Sequence, residues 1–477
     1  MSQYHTVIGL ETHAELNTKT KIFCGCKNEF GSKSNTNVCP VCLGLPGALP
    51  VLNRSVVEYA VRMGLALNCT INGVSHMDRK NYFYPDLPKA YQISQSFVPI
   101  CENGFVEFWY DGQVRRVRIE RIHIEEDAGK LVHAGDRAEE TYIDLNRCGV
   151  PLIEIVSKPD LRSSGEAYAY LKTLKAILAY LGICDCQMQE GSIRCDVNVS
   201  VNKEGEALGT RCEMKNVNSF SAVSRAIDYE SDRQTELLKS GESIHQQTFR
   251  WDDIKGKNYL MRSKENADDY RYFPEPDIPS VFISESDINK LAETIPELPN
   301  AKMIRYVTEY GLDTKEAEYI AFDQSLSQFF DECINTHKYP AKSYCSWIMG
   351  ELAKHLNASQ KGLSQTRLTS AMLNDLLDAV NSNVISNSAA KSVFEVLLEK
   401  GGEVDSIIAE LGLAQISDTK TLESIAKQVI DNNEKTVQDY HSGRSNALGF
   451  LIGQCMKHSN NKANPVKVKE ILLTLLG

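Results

Sequence analysis

The chain has 477 residues, of which 42% are hydrophobic and 24% charged, and carries a net charge of −11. That length is several times an ordinary domain and the apolar content suffices for a large core, so two to four domains are expected. No apolar run is long enough to span a bilayer, and the acidic balance excludes broad, non-specific nucleic-acid binding.

The opening "MSQYHTVIGLETHAEL" has neither a basic n-region nor a signal-type apolar block, so a cytoplasmic location without membrane attachment is expected. Residues 1 to about 290 read as short alternating strands broken by Gly, Pro, Asn and Asp, with helices between them. "RSVVEYAVRMGLALN" has helical spacing after a capping Asn53, and "SSGEAYAYLKTLKAILAYLG" predicts a strong helix with a Ser163/Glu166 capping box and Gly182 past its end. Near "DIPSVFISESDINKLAETIPELP" the pattern turns helical and stays so from about Leu298, with a break near "EKGGEVDSIIAELGL". Three domains are expected, 1–293, 294–404 and 405–477. From Lys435 to Gly477 there are six Lys/Arg against two Asp/Glu, a local +4 that leaves −15 on the rest of the chain. Such a basic tail can hold a polyanion at one end of an acidic body.

"FCGCKNEFGSKSNTNVCPVCLGLPG" places Cys24-x-Cys26, twelve intervening residues, then Cys39-x2-Cys42. Two close pairs joined by a polar loop suit a tetrahedral Zn²⁺ bound by four thiolates, a closed and therefore structural site. Cys184 and Cys186 have no partner pair nearby and read as plain thiols of the core or surface.

Alternate side chains of a strand share a face. In "IGLETH", Glu11 and His13 point away from Ile8, Leu10 and Thr12; in "CDVNVSV", Asp196, Asn198 and Ser200 oppose the valines. Arg211, Glu213 and Lys215 align in "TRCEMKN", His123, Glu125 and Asp127 in "RIHIEEDAGK", and Glu154 stands alone within "PLIEIV". Each face by itself reads as a solvated surface. Taken together they are rich in carboxylate and imidazole, and such a face repels itself unless a cation sits on it; Mg²⁺ is the natural candidate. Arg194 lies in the same segment as Asp196. "YFYPDLPKAYQISQ", beginning at Tyr82, combines rings held by prolines with one cation, Lys89. It reads either as an ordered surface loop or as a pocket wall whose lysine meets a phosphate. "DDYRYFPEPDIPS" is a second stretch of the same kind.

In order along the chain, "IGLETHAEL", "YFYPDLPKAYQISQ", "RIHIEEDAGK", "IDLNRCGVPLIEIVSKPD", "GSIRCDVNVSV", "GTRCEMKNVNSF", "YRYFPEPDIP" and "ALGFLIGQCMKHSNNKANP" resemble the B subunits of the tRNA-dependent amidotransferases, the GatCAB complexes. The resemblance covers nearly the whole chain, and the cysteine knuckle is similar to that of the zinc-bearing members. Cys148 stands where a smaller residue is commoner.

The resemblance implies an α+β fold: a mixed-sheet catalytic cradle with a four-cysteine zinc knuckle, then a helical domain and a small helical tail. It implies a protein that uses ATP to phosphorylate the side-chain carboxylate of Glu on tRNA(Gln) or Asp on tRNA(Asn). Ammonia then displaces the phosphate; it is supplied by the amidase, the A subunit of such complexes, while the small C subunit holds the assembly together. On that basis Glu11, His13, Glu125, Glu154, Asp196 and Glu213 form the Mg²⁺-binding set. Lys89 and Arg194 contact phosphate, Tyr82, Tyr84 and Arg271 shape the pocket, and Arg444, Lys457, Lys462 and Lys467 meet the misacylated tRNA. Cys148 and Cys195 are bystanders. The alternative is a non-catalytic zinc-containing scaffold that only positions tRNA.

Overall fold

The computed structural model describes residues 4–133, 140–188, 191–263, 267–336, 338–416, 418–444, 446–459 and 462–477, without the side chains of residues 216, 262, 263, 267 and 268. It divides into two units, one up to Lys302 and one from Met303 onward.

The first unit is built on a mixed nine-stranded sheet. The strands run, edge to edge, Lys257–Ser263, Gln247–Asp252, Cys212–Val217, Ile193–Lys203, Tyr4–Glu15, Pro151–Ser157, Gln113–Glu126, Cys101–Tyr110 and Thr70–Ile71. Every adjacent pair is antiparallel except Cys212–Val217 with Gln247–Asp252. Three helices, Arg54–Ala66, Ser164–Leu181 and Phe220–Ser240, bury their apolar stripes on one face with Ile8, Leu10, Ile153, Ile155, Val197 and Val199.

The helix starts follow from their caps. Asn53 Oδ1 accepts from Ser55 N at 2.9 Å. Ser163 Oγ accepts from Glu166 N at 3.1 Å, but the Glu166 carboxylate accepts from Arg162 N at 2.7 Å rather than from Ser163, so the expected capping box is closed one residue early. Gly182 ends that helix at φ 65°, a left-handed backbone that favours glycine.

A small sheet carries the two ring-rich stretches. Strand Asp78–Asn81 lies between Tyr91–Ser94 and Phe273–Pro274. It is latched to the large sheet where strand Gln113–Glu126 runs on past the end of its neighbour. There Ile124 N donates to Gln95 Oε1 at 2.9 Å, and Gln92 Nε2 donates to the Glu126 carbonyl at 2.8 Å. Arg79 clamps the far stretch: Nε and Nη2 meet the two oxygens of the buried Glu275 carboxylate at 2.6 and 2.9 Å, and its guanidinium stacks 4.3 Å over Tyr91.

The second unit is helical. Asp313 and Glu316 form a reciprocal capping box on helix Thr314–Ala321, and Asn464 with Pro465 begins the last helix, Pro465–Leu476. Helices Thr419–Asp431, Asn446–His458 and Pro465–Leu476 share their own buried cluster, including Leu422, Val429, Leu451 and Leu472. Gln415 N donates to the Val384 carbonyl at 2.7 Å, tying this tail to the helices before it. No helix among the described residues is long and apolar enough to cross a membrane.

Removing one side of a buried ion pair leaves an uncompensated charge. Arg79→Met is expected to lower the unfolding free energy of the chain by about 3–5 kcal/mol in urea titration, and Arg79→Met with Glu275→Leu to recover most of it.

Candidate active site

The face of the large sheet opposite the helices is assembled by register. Strand Tyr4–Glu15 pairs antiparallel on both sides, so residues of like orientation fall into cross-strand rows. One row is His123, Glu154, His13 and Arg194; the next is Arg121, Val156, Glu11 and Asp196; beyond it lie Gly9, Asn198 and Glu213. Glu125 lies opposite Leu152, one row to the other side.

Ligand atoms of His13, Glu125 and Glu154 lie within 4.8 Å of one another, and so do those of Glu11, Asp196 and Glu213. All six carboxylates and imidazoles expected around a cation therefore stand on one face, in two adjoining groups. His13 Nε2 is 3.3 Å from Glu154 and 3.4 Å from Glu125; His123 Nε2 is 3.2 Å from Glu154. Burial works against a charge on His13, but Glu154 and Glu125 outweigh it and lift its pKa to about 9. Burial likewise opposes ionisation of Glu154, yet His123 and His13 hold it well below the usual carboxylate range. Glu11 goes the other way, raised first by burial and then by Glu154, Glu213 and Asp196, with Lys215 offsetting only part. Oxygen donors with one imidazole, short of positive charge, fit a hard divalent cation.

Lys215 is a site residue that the strand pattern aligned with Glu213 but did not single out. Its Nζ lies 2.6 Å from Asp196 and 3.1 Å from Glu213. It reaches both because the ladder between its strand and Ile193–Lys203 shifts register between Cys195 and Val197. Arg194 is held 2.7 Å from Asp127, just past the strand end. Asn198 Nδ2 donates to Glu11 Oε1 at 2.9 Å.

A cavity of about 430 Å³ adjoins this face, lined by Gly9, Glu11, Arg121, Asn198, Ser200 and Arg211 among others. Arg121 Nε is buried there without a hydrogen-bond partner among the described residues. Gly209, on its rim, is required by close approach, since a Cβ would lie 2.2 Å from the Val201 carbonyl oxygen.

On the other side of His13 and Glu125 stands an aromatic wall. The Tyr82 and Tyr270 rings meet edge to face at 6.2 Å, and Tyr270 meets Tyr272 at the same distance. Lys80 Nζ sits 4.7 Å over Tyr270 and 5.6 Å over Tyr82. Burial works against its charge; Tyr272 and Glu125, with Tyr82 and Tyr270, outweigh it and raise its pKa. Lys80 carries no signal in the sequence beyond its place before the Tyr82 stretch.

Lys89 is not brought to the cluster. It pairs with Glu126, which points to the opposite face of its strand from Glu125, in a small cavity shared with Cys24 and Cys42. Tyr84 and Arg271 are exposed and stand outside the wall. Arg444, Lys457, Lys462 and Lys467 are exposed on the tail, Arg444 being 3.0 Å from Asp439. Cys148, Cys184, Cys186 and Cys195 are buried.

The four knuckle cysteines, Cys24, Cys26, Cys39 and Cys42, hold their sulfurs within 4.8 Å of one another, a group able to hold a metal ion. Cys39 N donates to Cys42 Sγ at 3.1 Å. The hydrogen bond from Cys24 lowers the Cys42 pKa most; burial opposes it, and Cys39 and Lys21 add to it, leaving the value at about 5.

A sheet with a sealed core on one face and grouped carboxylates, imidazoles and arginines around a cavity on the other is the architecture of a catalytic domain. Residues 6–289 match the family model of the GatB/GatE catalytic domain, and residues 328–476 match that of the GatB domain. The chain belongs to this family of amidotransferase B subunits. It is 52% identical over 471 residues to the aspartyl/glutamyl-tRNA(Asn/Gln) amidotransferase B subunit of Caldanaerobacter subterraneus subsp. tengcongensis, covering 98% of each chain. The proteins of the same name from Caldicellulosiruptor saccharolyticus and Carboxydothermus hydrogenoformans are 51% and 48% identical, with at least 98% of each chain covered.

Glu154→Gln is expected to weaken Mn²⁺ binding, read by electron paramagnetic resonance titration, by at least the ~10-fold that loss of even an outer-shell partner costs. Lys89→Met, on the other face, is expected to leave it unchanged.

Proposed function

We propose that the chain is the B subunit of a heterotrimeric enzyme that converts Glu-tRNA(Gln), Asp-tRNA(Asn) or both to the amidated forms. In this reading the amidase, the A subunit, supplies ammonia from glutamine, the small C subunit holds the assembly together, and the enzyme works in the cytoplasm. A carboxylate is a poor electrophile because its leaving group would be oxide. Transfer of the γ-phosphoryl of ATP to that oxygen supplies a good leaving group and releases ADP. Ammonia then adds to the carbonyl carbon, loses a proton, and expels phosphate to leave the amide.

The observation that carries the reading is the pairing of two cation-capable groups with an arginine-lined cavity on one sheet face. His13, Glu125 and Glu154 would hold one Mg²⁺, and Glu11, Asp196 and Glu213 a second cation or its waters. Mg²⁺ bound there supplies neutralisation of the triphosphate's charge. Arg121 and Arg211 offer guanidinium groups to the phosphates, Lys215 an ammonium beside them, and Arg194 stays in place through Asp127. His123 keeps Glu154 ionised and oriented. Tyr82, Tyr270 and Tyr272 wall off the acyl end from water, with Lys80 held among them. Lys89, paired with Glu126, reads as part of the layer between knuckle and sheet. The knuckle cysteines would hold Zn²⁺ as a closed structural site.

The tail, 405–477, is read as the tRNA-binding module. Its exposed Arg444, Lys457, Lys462 and Lys467 suit backbone contact that reads shape and phosphate rather than base edges.

In the reconstituted heterotrimer, Glu11→Ala or Glu154→Ala is expected to abolish ATP-dependent amidation while glutaminase activity persists. Amidation at the unaltered rate would overturn the assignment and favour a tRNA-positioning scaffold. Lys457→Ala with Lys462→Ala is expected to weaken tRNA binding at low salt and to reduce the slope of log affinity against log salt by about 1 per lysine, as filter binding across a salt series would read.

A further inference from the structure

Lys21 sits inside the cysteine knuckle, and no carboxylate among the described residues pairs with its charge. The side chain is fully buried, as no other lysine among them is. Its Nζ donates to the Asn37 carbonyl at 2.7 Å, and no carboxylate among the described residues lies within 4.0 Å of it. A buried ammonium served by one neutral carbonyl is costly unless a negative charge lies close by.

The knuckle supplies negative charge in full when a metal holds all four thiolates. Lys21 N donates to the Cys26 carbonyl at 3.0 Å, and Asn37 precedes Cys39 by two residues. A Cβ built on Gly149 would lie 3.7 Å from Cys42 Cβ and 3.8 Å from Lys21 Cδ, so the lysine stem and Cys42 flank the same glycine. Gly149, at φ +78°, leaves the room that brings them together. A divalent metal among four thiolates keeps two negative charges, and the other cation in the cavity beside them, Lys89, is already paired with Glu126.

We propose that Lys21 is the buried counter-charge of the cysteine-bound metal, its ammonium balancing the excess charge of the four thiolates and slowing release of the ion. The proposal rests on the reading of Cys24, Cys26, Cys39 and Cys42 as a zinc site. The dependence runs both ways. The loaded site makes the buried ammonium more tolerable, so taking the metal away lessens the negative charge beside Lys21 as thiolates take up protons and should destabilise the chain beyond the loss of the metal bonds themselves.

The test uses the full-length chain with its zinc counted by elemental analysis. Lys21→Met keeps the length of the stem and drops the charge; Lys21→Gln keeps a donor for the Asn37 carbonyl and also drops the charge. Both are expected to release zinc to a chromophoric chelator about tenfold faster than the unaltered chain, the range found for outer-shell partners. Both are also expected to lose less melting temperature on chelation than the unaltered chain does. A zinc-loaded chain whose two variants match it in release rate and in melting shift overturns the role of Lys21 alone. A Lys21→Gln variant that behaves as the unaltered chain assigns the effect to the hydrogen bond and overturns the charge. An unaltered chain that carries no metal overturns the zinc reading and the proposal with it.

Discussion

The polar face depends on two ladders of backbone hydrogen bonds, one on each side of strand Tyr4–Glu15. Both are antiparallel and uninterrupted through Glu11 and His13. The side-chain period of a strand is two, so a slip of one residue in either ladder would carry Ile8 and Leu10 to the cavity and Glu11 and His13 into the core. With the register as it is, five strands deliver their acidic and imidazole side chains to four neighbouring rows.

The core holds that register against the repulsion it creates. Ile8, Leu10, Ile153, Ile155, Val197 and Val199 are essentially inaccessible beneath the helices, and each such side chain contributes about 1.5–3 kcal/mol on burial. The crowded face costs part of this. Glu11 is raised by burial and by three carboxylate neighbours. Near Glu154 two imidazoles balance the charge, whereas near Glu11 the one ammonium is Lys215, itself shared between Asp196 and Glu213. The half of the face around Glu11 is therefore the more demanding of a cation, and it is also the half that borders the arginine-lined cavity.

The small sheet adds the enclosure. Its hold on the large sheet runs through side-chain amides meeting backbone, Gln92 and Gln95, at the point where strand Gln113–Glu126 has outrun its neighbour. Arg79 and Glu275 then lock the second ring-rich stretch onto the first, which sets Tyr270 against Tyr82 and cages Lys80 beside Glu125. Wall and floor are thus separate pieces joined by a few buried polar contacts, whose loss would loosen the pocket without unravelling the core.

Much of this was legible in the sequence, for a definite reason. Alternation within "IGLETH" or "CDVNVSV" determines which side chains share a face, and caps such as Asn53, Ser163 and Gly182 determine where helices begin and end, because both are properties of a few consecutive residues. The spacing of Cys24, Cys26, Cys39 and Cys42 is local in the same way. What only the tertiary structure decided is which strands lie side by side and in what register. That choice recruited His123, Arg121 and Lys215, turned Lys89 toward Glu126 and the knuckle, left Tyr84 and Arg271 exposed, and buried Lys21 beside Cys42. Local pattern cannot settle such pairings, since they are chosen by packing between separate segments, from about twenty to well over a hundred residues apart.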